Sequence, residues 1–144
     1  MNHLGLKYWK YLFSFLFLVW IQHSCDKLND SSIPDVYVNF QIDLSIVNEL
    51  TIPGNSVIFP QAGYGGLIVT CYAPGEWYAF DASCTYEVSR NCIVKDEGGI
   101  AECTCCGSQF VLIGGGYPVK EPASMPLKQY HISMINLQRL RVYN

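Results

Sequence analysis

The sequence predicts an all-β domain made of short antiparallel strands. Short runs rich in β-branched and aromatic residues recur along the chain, and Gly, Pro and Asn separate them. No stretch of ten or more residues has the period of an amphipathic helix. Evenly spaced short strands are typical of a barrel or sandwich.

The predicted strands cover residues 36–41, 56–59, 66–72, 77–81, 100–103, 109–112, 127–133 and 137–143. The turn residues lie at positions 53–55, 65–66, 74–75, 98–99 and 114–116. We expect residues 134–136 to turn the last hairpin.

The start of the chain is typical of an export signal. Lys7 and Lys10 precede the apolar run YLFSFLFLVWI at residues 11–21, which is shorter than the roughly 20 residues of a spanning helix. Ser24-Cys25 follows it and resembles a bacterial lipobox. We therefore expect residues 1–24 to be a lipoprotein signal peptide and Cys25 to be acylated, on a membrane of the cell envelope outside the cytoplasm. The alternative is an ordinary secretory signal in which Cys25 is incidental.

The rest of the chain divides into a tether and one domain. Residues 25–34 are polar after the cysteine and end in Pro34, so they predict a flexible tether. Residues 35–144, about 110 in number, are enough for one modest core. Removal of the signal takes away two lysines and no acid, which leaves the chain more acidic than its full net charge of −3. Without a basic stripe, we expect no nucleic-acid partner.

The sequence carries none of the motifs of common hydrolases or nucleotide-binding enzymes. It has no nucleophile elbow, phosphate loop or His-Glu-x-x-His, and His131 is the single histidine after residue 24. A histidine within a strand is more often a core or surface residue than a catalytic one. The sequence therefore predicts neither an enzyme nor a small-molecule substrate.

The cysteines carry the most specific signal. Six follow Cys25, and Cys71 lies in the apolar run GLIVTCYAP, where it is expected to be buried. Cys103 and Cys106 form a C-x-x-C pair followed by Gly107, a spacing that lets two thiolates converge on one metal. The adjacent Cys105 and Cys106 would point in different directions.

Three segments together resemble the Rieske iron–sulfur domain. They are FDASCTY, CTCCGSQF and GGGYPVKEPASMPLKQYHI, and the resemblance covers residues 66–144. It implies a stack of small antiparallel sheets with two metal-binding loops. Cys84 and Cys103 match the cysteine positions of the family, whereas Tyr86 and Cys106 stand where the family has its two histidines.

The resemblance implies a variant ligand set. With Cys92 as the fourth thiolate, Cys84, Cys92, Cys103 and Cys106 would suit an all-cysteine [2Fe–2S] cluster or a Zn²⁺ ion. Some family members instead carry a disulfide from the position of Cys105, which would pair Cys92 with Cys105. A domain whose thiols are all paired in disulfides is the third alternative for an exported chain.

Two functions follow from these alternatives. The first is electron transfer to a redox protein partner by a membrane-anchored lipoprotein. The second is a non-redox structural or interaction module of the same fold, stabilised by zinc or by disulfides. The resemblance favours iron, but residues 1–24 contain no arginine, and folded iron–sulfur proteins are exported on a twin-arginine signal.

Overall fold

The computed structural model describes residues 31–144, which fold into two antiparallel sheets. The predicted signal peptide and Cys25 lie outside the described residues. The larger sheet contains β1 (Asn39–Asp43), β2 (Ser56–Phe59), β3 (Leu67–Ala73), β4 (Glu76–Asp81), β9 (Gln129–Asn136) and β10 (Arg139–Tyr143), in the order β1-β10-β9-β4-β3-β2. The smaller contains β5 (Val94–Asp96), β6 (Ile100–Cys103), β7 (Gln109–Val111) and β8 (Tyr117–Lys120), in sequence order.

The all-β prediction is confirmed. The described part of the chain has one short 3₁₀ helix, Asn48–Thr51, and none of its helices is long and apolar enough to cross a membrane. The strands β2 and β6 have the predicted bounds, whereas β5 and β8 were not predicted.

The turn predicted at residues 134–136 lies two to three residues later in the structure. The strand β9 continues through Asn136, because Met134 pairs with Leu140 on β10. The chain reverses at residues 137–138, where the side-chain oxygen of Asn136 accepts a hydrogen bond from the N–H of Gln138.

The two faces of the larger sheet bury different cores. Alternate residues of β3 point to opposite faces: Leu67 and Val69 pack into one core, and Ile68 packs into the other. The second core lies between the two sheets and includes Phe80 and Phe110. Cys84 and Cys103 belong to this second core, so the position of the cysteines is set by the packing of one sheet on the other.

A buried carboxylate fixes the end of β4. Asp81 is fully buried and accepts hydrogen bonds from the N–H groups of Tyr64 (2.6 Å), Gly65 (3.0 Å) and Ser83 (2.9 Å). The hydroxyl of Tyr130 on β9 donates a fourth, at 2.8 Å. These contacts join the loop before β3 to the chain segment that leads to Cys84.

Residues 31–34, which the sequence assigns to the tether, pack on the domain. Ile33 is buried, and the hydroxyl of Ser32 donates to the carbonyl oxygen of Thr85 at 3.0 Å. The buried Lys128 donates to the carbonyl oxygen of Pro34 at 3.1 Å and pairs with the carboxylate of Asp35. The packed domain therefore includes the four residues before the predicted boundary at Asp35.

Candidate metal centre

Three thiols converge between two loops. The Sγ atoms of Cys84, Cys103 and Cys106 all lie within 4.8 Å of one another, and those of Cys84 and Cys106 are 3.7 Å apart. Cys84 lies in the loop between β4 and β5, Cys103 ends β6, and Cys106 lies in the loop between β6 and β7. Cys84 and Cys103 are buried, whereas Cys106 is partly exposed. The structure therefore brings together three of the four predicted ligands.

Backbone hydrogen bonds join the two loops. Within the first loop, the N–H of Cys84 donates to the carbonyl oxygen of Cys92 at 2.9 Å. Both the N–H and the hydroxyl of Thr104, in the second loop, donate to the carbonyl oxygen of Ile93 at 3.1 Å. Hydrogen bonds within the first loop and between the two loops thus fix the backbone that carries the thiols.

The second loop is a tight turn that requires a glycine. The N–H of Gly107 donates to the carbonyl oxygen of Cys103 at 3.0 Å, and the N–H of Cys103 donates to that of Ser108 at 2.8 Å. Gly107 has a φ of +70°, a conformation that side-chain-bearing residues rarely adopt. This turn places Cys106 beside Cys84.

Backbone N–H groups lie near the sulfurs. The N–H of Cys105 donates a hydrogen bond to the Cys103 sulfur at 3.4 Å. The N–H groups of Glu87 and Tyr86 act to lower the pKa of Cys84, and the N–H of Ser108 acts to lower the pKa of Cys106. Backbone N–H groups directed at sulfur stabilise the thiolate, the form of cysteine that binds metals. These N–H groups favour the thiolate form of the cysteines, as metal binding requires.

The thiols of Cys84 and Cys106 differ in acidity. Burial raises the pKa of Cys84 to about 12, although backbone hydrogen bonds from Glu87 and Tyr86 oppose the effect. Burial also acts to raise the pKa of Cys106, but hydrogen bonds from the hydroxyl and N–H of Ser108, together with those from the thiols of Cys103 and Cys84, lower that pKa overall. Because metal binding requires deprotonated thiols, metal affinity is expected to increase with pH.

Ser108→Ala is expected to make Cys106 less acidic. The Ser108 hydroxyl lies 3.1 Å from the Cys106 sulfur and accepts from the N–H of Ala123, and its loss removes a donor to the thiolate. In the metal-free protein, the alkylation of Cys106 near neutral pH should become several-fold slower, and its pH profile should shift upward. An unchanged profile, measured by mass spectrometry of the modified peptide, would contradict this role of Ser108.

The structure departs from the predicted ligand set at Cys92. Its sulfur forms a disulfide with Cys105, with the two Cα atoms 5.3 Å apart. The side chains of the adjacent Cys105 and Cys106 point in different directions. Cys105 forms the disulfide with Cys92, and the Cys106 sulfur lies beside that of Cys84. A sulfur in a disulfide is not a thiolate and cannot bind the metal as one. Of the two roles considered for Cys92, metal ligand and disulfide partner, the structure shows the disulfide.

The remaining candidates occupy separate places. Cys71 is buried on β3, as predicted, and its thiol contacts the carbonyl oxygen of Ala73. Tyr86 is 58% exposed, and His131 is exposed on β9. Sequence reasoning did not identify Ser108, although its place directly after Gly107 in CCGS was the available signal.

The three thiols suit a metal that prefers sulfur. A metal–sulfur bond of about 2.3 Å in tetrahedral geometry separates two sulfurs by roughly 3.8 Å, and the Cys84 and Cys106 sulfurs are 3.7 Å apart. Thiolates favour zinc, copper(I) and iron–sulfur clusters. The set fits three of the four protein ligand positions of a [2Fe–2S] cluster or a structural zinc. No other cysteine among residues 31–144 reaches the site as a thiol.

Comparison with solved structures identifies the fold. A cyanobacterial plasma membrane Rieske protein from Synechocystis PCC 6803 is 19% identical with a TM-score of 0.55, over 76% of this chain and 100% of that one. A chain from the complex of reduced oxygenase and oxidized ferredoxin in carbazole 1,9a-dioxygenase is 19% identical with a TM-score of 0.51, over 74% and 93%. The Sphingomonas yanoikuyae B1 ferredoxin is 20% identical with a TM-score of 0.50, over 77% and 99%.

These similarities confirm that the described residues form a Rieske-like domain. No protein-family model matches the chain, and no curated protein matches it.

Proposed function

We propose that this Rieske-like domain is an electron-transfer module of the cell envelope whose metal centre is bound by Cys84, Cys103 and Cys106. The observation that carries the proposal is the convergence of three thiols between two loops of a fold shared with a ferredoxin and a Rieske protein. All three residues lie at positions that the Rieske resemblance assigns to ligands.

A [2Fe–2S] cluster is the form of the centre that the fold supports. When bound, it would supply one-electron transfer to a redox protein partner. Cys84, Cys103 and Cys106 would supply three of the four protein ligands of the cluster. A donor other than cysteine would supply the fourth, because Cys92 is in a disulfide.

The cysteine-rich donor set determines the expected potential. Thiolates place more negative charge on the irons than imidazoles do, so the potential should lie below the Rieske range and nearer to about −400 mV. The hydrogen bond from the N–H of Cys105 to the Cys103 sulfur would partly offset this charge. The domain would therefore exchange electrons with partners of low potential.

A non-redox module that holds Zn²⁺ is the second candidate. The separation of 3.7 Å between the Cys84 and Cys106 sulfurs is that of two ligands on a single ion. The Cys92–Cys105 disulfide already joins the same two loops, and an export signal without arginine is consistent with metal acquisition outside the cytoplasm. Here the metal would stabilise the loops.

Metal analysis of protein purified from native membranes distinguishes the two candidates. The electron-transfer proposal predicts about two irons and two acid-labile sulfides per chain, with visible absorption that bleaches on reduction. A colourless protein with one zinc and no sulfide would contradict electron transfer and support the zinc-binding module. Protein with neither metal would contradict both.

We further propose that Cys25 is acylated and anchors the domain to a membrane. Cys25→Ala should remove the acylation site, so the chain should no longer partition into the detergent phase as a processed lipoprotein. Metabolic labelling with a fatty-acid analogue provides the direct measurement, and Cys71→Ser is the matched control with the acylation site intact. Labelling of the Cys25→Ala variant equal to that of the control would contradict the proposal.

A further inference from the structure

We infer that the end of the domain that bears the cysteine loops faces the surface of the membrane to which Cys25 is anchored. This inference rests on the proposed acylation of Cys25 and extends it to the orientation of the domain. Any redox partner of the thiols would then act in that same membrane.

The described chain begins beside the metal centre. The Ser32 hydroxyl donates to the carbonyl oxygen of Thr85, the residue that follows Cys84, at 3.0 Å. Ile33 is buried, and the buried Lys128 holds the carbonyl oxygen of Pro34. The N-terminal segment therefore leaves the domain at the end that bears the cysteine loops.

The other end of the larger sheet lies far from this point. Tyr143 on β10 pairs with His131 near the start of β9, and the two strands then run together to the turn at residues 137–138. The eight residues of β9 correspond to about 25 Å of extended chain. The β9–β10 turn therefore marks the opposite end.

The length of chain between Cys25 and the domain limits their separation. Six residue steps lead from Cys25 to Ser31, and at about 3.5 Å per residue they span at most roughly 21 Å. An acyl chain inserted in the bilayer would thus hold the cysteine end within that distance of the lipid surface. The opposite end can reach the surface only if the domain tips over on its short connection.

Exposed apolar side chains next to the cysteine loops are suited to a lipid surface. Tyr86 is 58% exposed and Met125 is 37% exposed, and the Thr85 hydroxyl donates to the carbonyl oxygen of Met125 at 2.8 Å. Tyrosine is favoured at the membrane–water interface. Leu137, at the opposite end, is 90% exposed, so exposed apolar side chains alone do not decide which end faces the membrane. The position at which the N-terminal segment leaves the domain decides it.

Tryptophan quenching by spin-labelled lipids tests the orientation. Tyr86→Trp and Met125→Trp place probes at the cysteine end, and Leu137→Trp is the matched control at the other end. Trp77 is the single native tryptophan after residue 24 and supplies the same background in all variants. In liposomes with nitroxide-labelled headgroups, the emission added at residues 86 and 125 should be largely lost, while that added at residue 137 should persist.

Equal quenching at both ends, stronger quenching at residue 137, or failure of the chain to bind liposomes would overturn the inference. Metal content, measured on the same samples, separates this result from the proposed electron transfer. Quenching at residues 86 and 125 in a protein without metal would support the orientation and contradict the metal centre. A bound metal without quenching at residues 86 and 125 would support the metal centre and contradict the orientation.

Discussion

Cys84→Ser, Cys103→Ser and Cys106→Ser should each remove the metal from the domain. The three sulfurs lie within 4.8 Å of one another, and among the described residues the other cysteines are either buried on β3 or joined in a disulfide, so none of them can replace a lost ligand. Loss of a residue that only orients a ligand weakens metal binding by about 10- to 100-fold. Loss of a ligand should exceed that range, as measured by metal content after competition with a chelator.

The other cysteines provide the controls for this series. Cys71→Ser changes a buried thiol on β3 outside the group of three and should retain the metal. A double variant, Cys92→Ser with Cys105→Ser, should retain the metal but unfold at lower denaturant concentration, because the disulfide joins the two loops. Loss of metal from the double variant while Cys106→Ser retains it would contradict the three-thiol centre.

Asp81→Ala should cause a large loss of stability without removing any of the three thiols. The substitution leaves three backbone N–H groups and the Tyr130 hydroxyl without their shared acceptor. Each buried donor left unsatisfied costs about 1–3 kcal/mol, and partial rearrangement makes a total of about 3–5 kcal/mol reasonable. Against a typical stability of about 5–15 kcal/mol, urea unfolding should show a large shift of the midpoint.

Tyr130→Phe is the matched control for this prediction. It removes one donor and leaves the carboxylate of Asp81 with its three backbone partners, so a loss of about 1–1.5 kcal/mol is expected. If Asp81→Ala and Tyr130→Phe reduce the free energy of unfolding equally, the carboxylate does not organise the end of β4 as described.

The strand pattern of the sequence predicted most of the larger sheet, because its strands are long and rich in β-branched and aromatic residues. The strands β5 and β8 were missed for local reasons. β5 has three residues, two of them charged, and β8 contains Pro118. Pairing with β6 and β7 forms these strands, and that tertiary contribution does not appear in a local pattern.

The resemblance to the Rieske domain also predicted that Cys84, Cys103 and Cys106 would converge, together with Cys92; the C-x-x-C spacing by itself joins only Cys103 and Cys106. It left the role of Cys92 open, because spacing within a long loop does not fix the direction of a side chain. The bridge between Ser83 and Ile93 closes the base of the first loop and places Cys92 opposite Cys105. The backbone donors to sulfur depend on the same loop conformation, so they became evident only in the structure.

Differential alkylation of the native protein tests the central claim most directly. Free thiols are alkylated with the metal bound and then, with a second reagent, after its removal by a chelator, and the unreduced peptides are mapped by mass spectrometry. The structure predicts that Cys84, Cys103 and Cys106 are protected until the metal is removed, while Cys92 and Cys105 remain linked throughout. Release of Cys92 or Cys105 as a free thiol together with the metal, or alkylation of all three predicted ligands before its removal, would contradict the account.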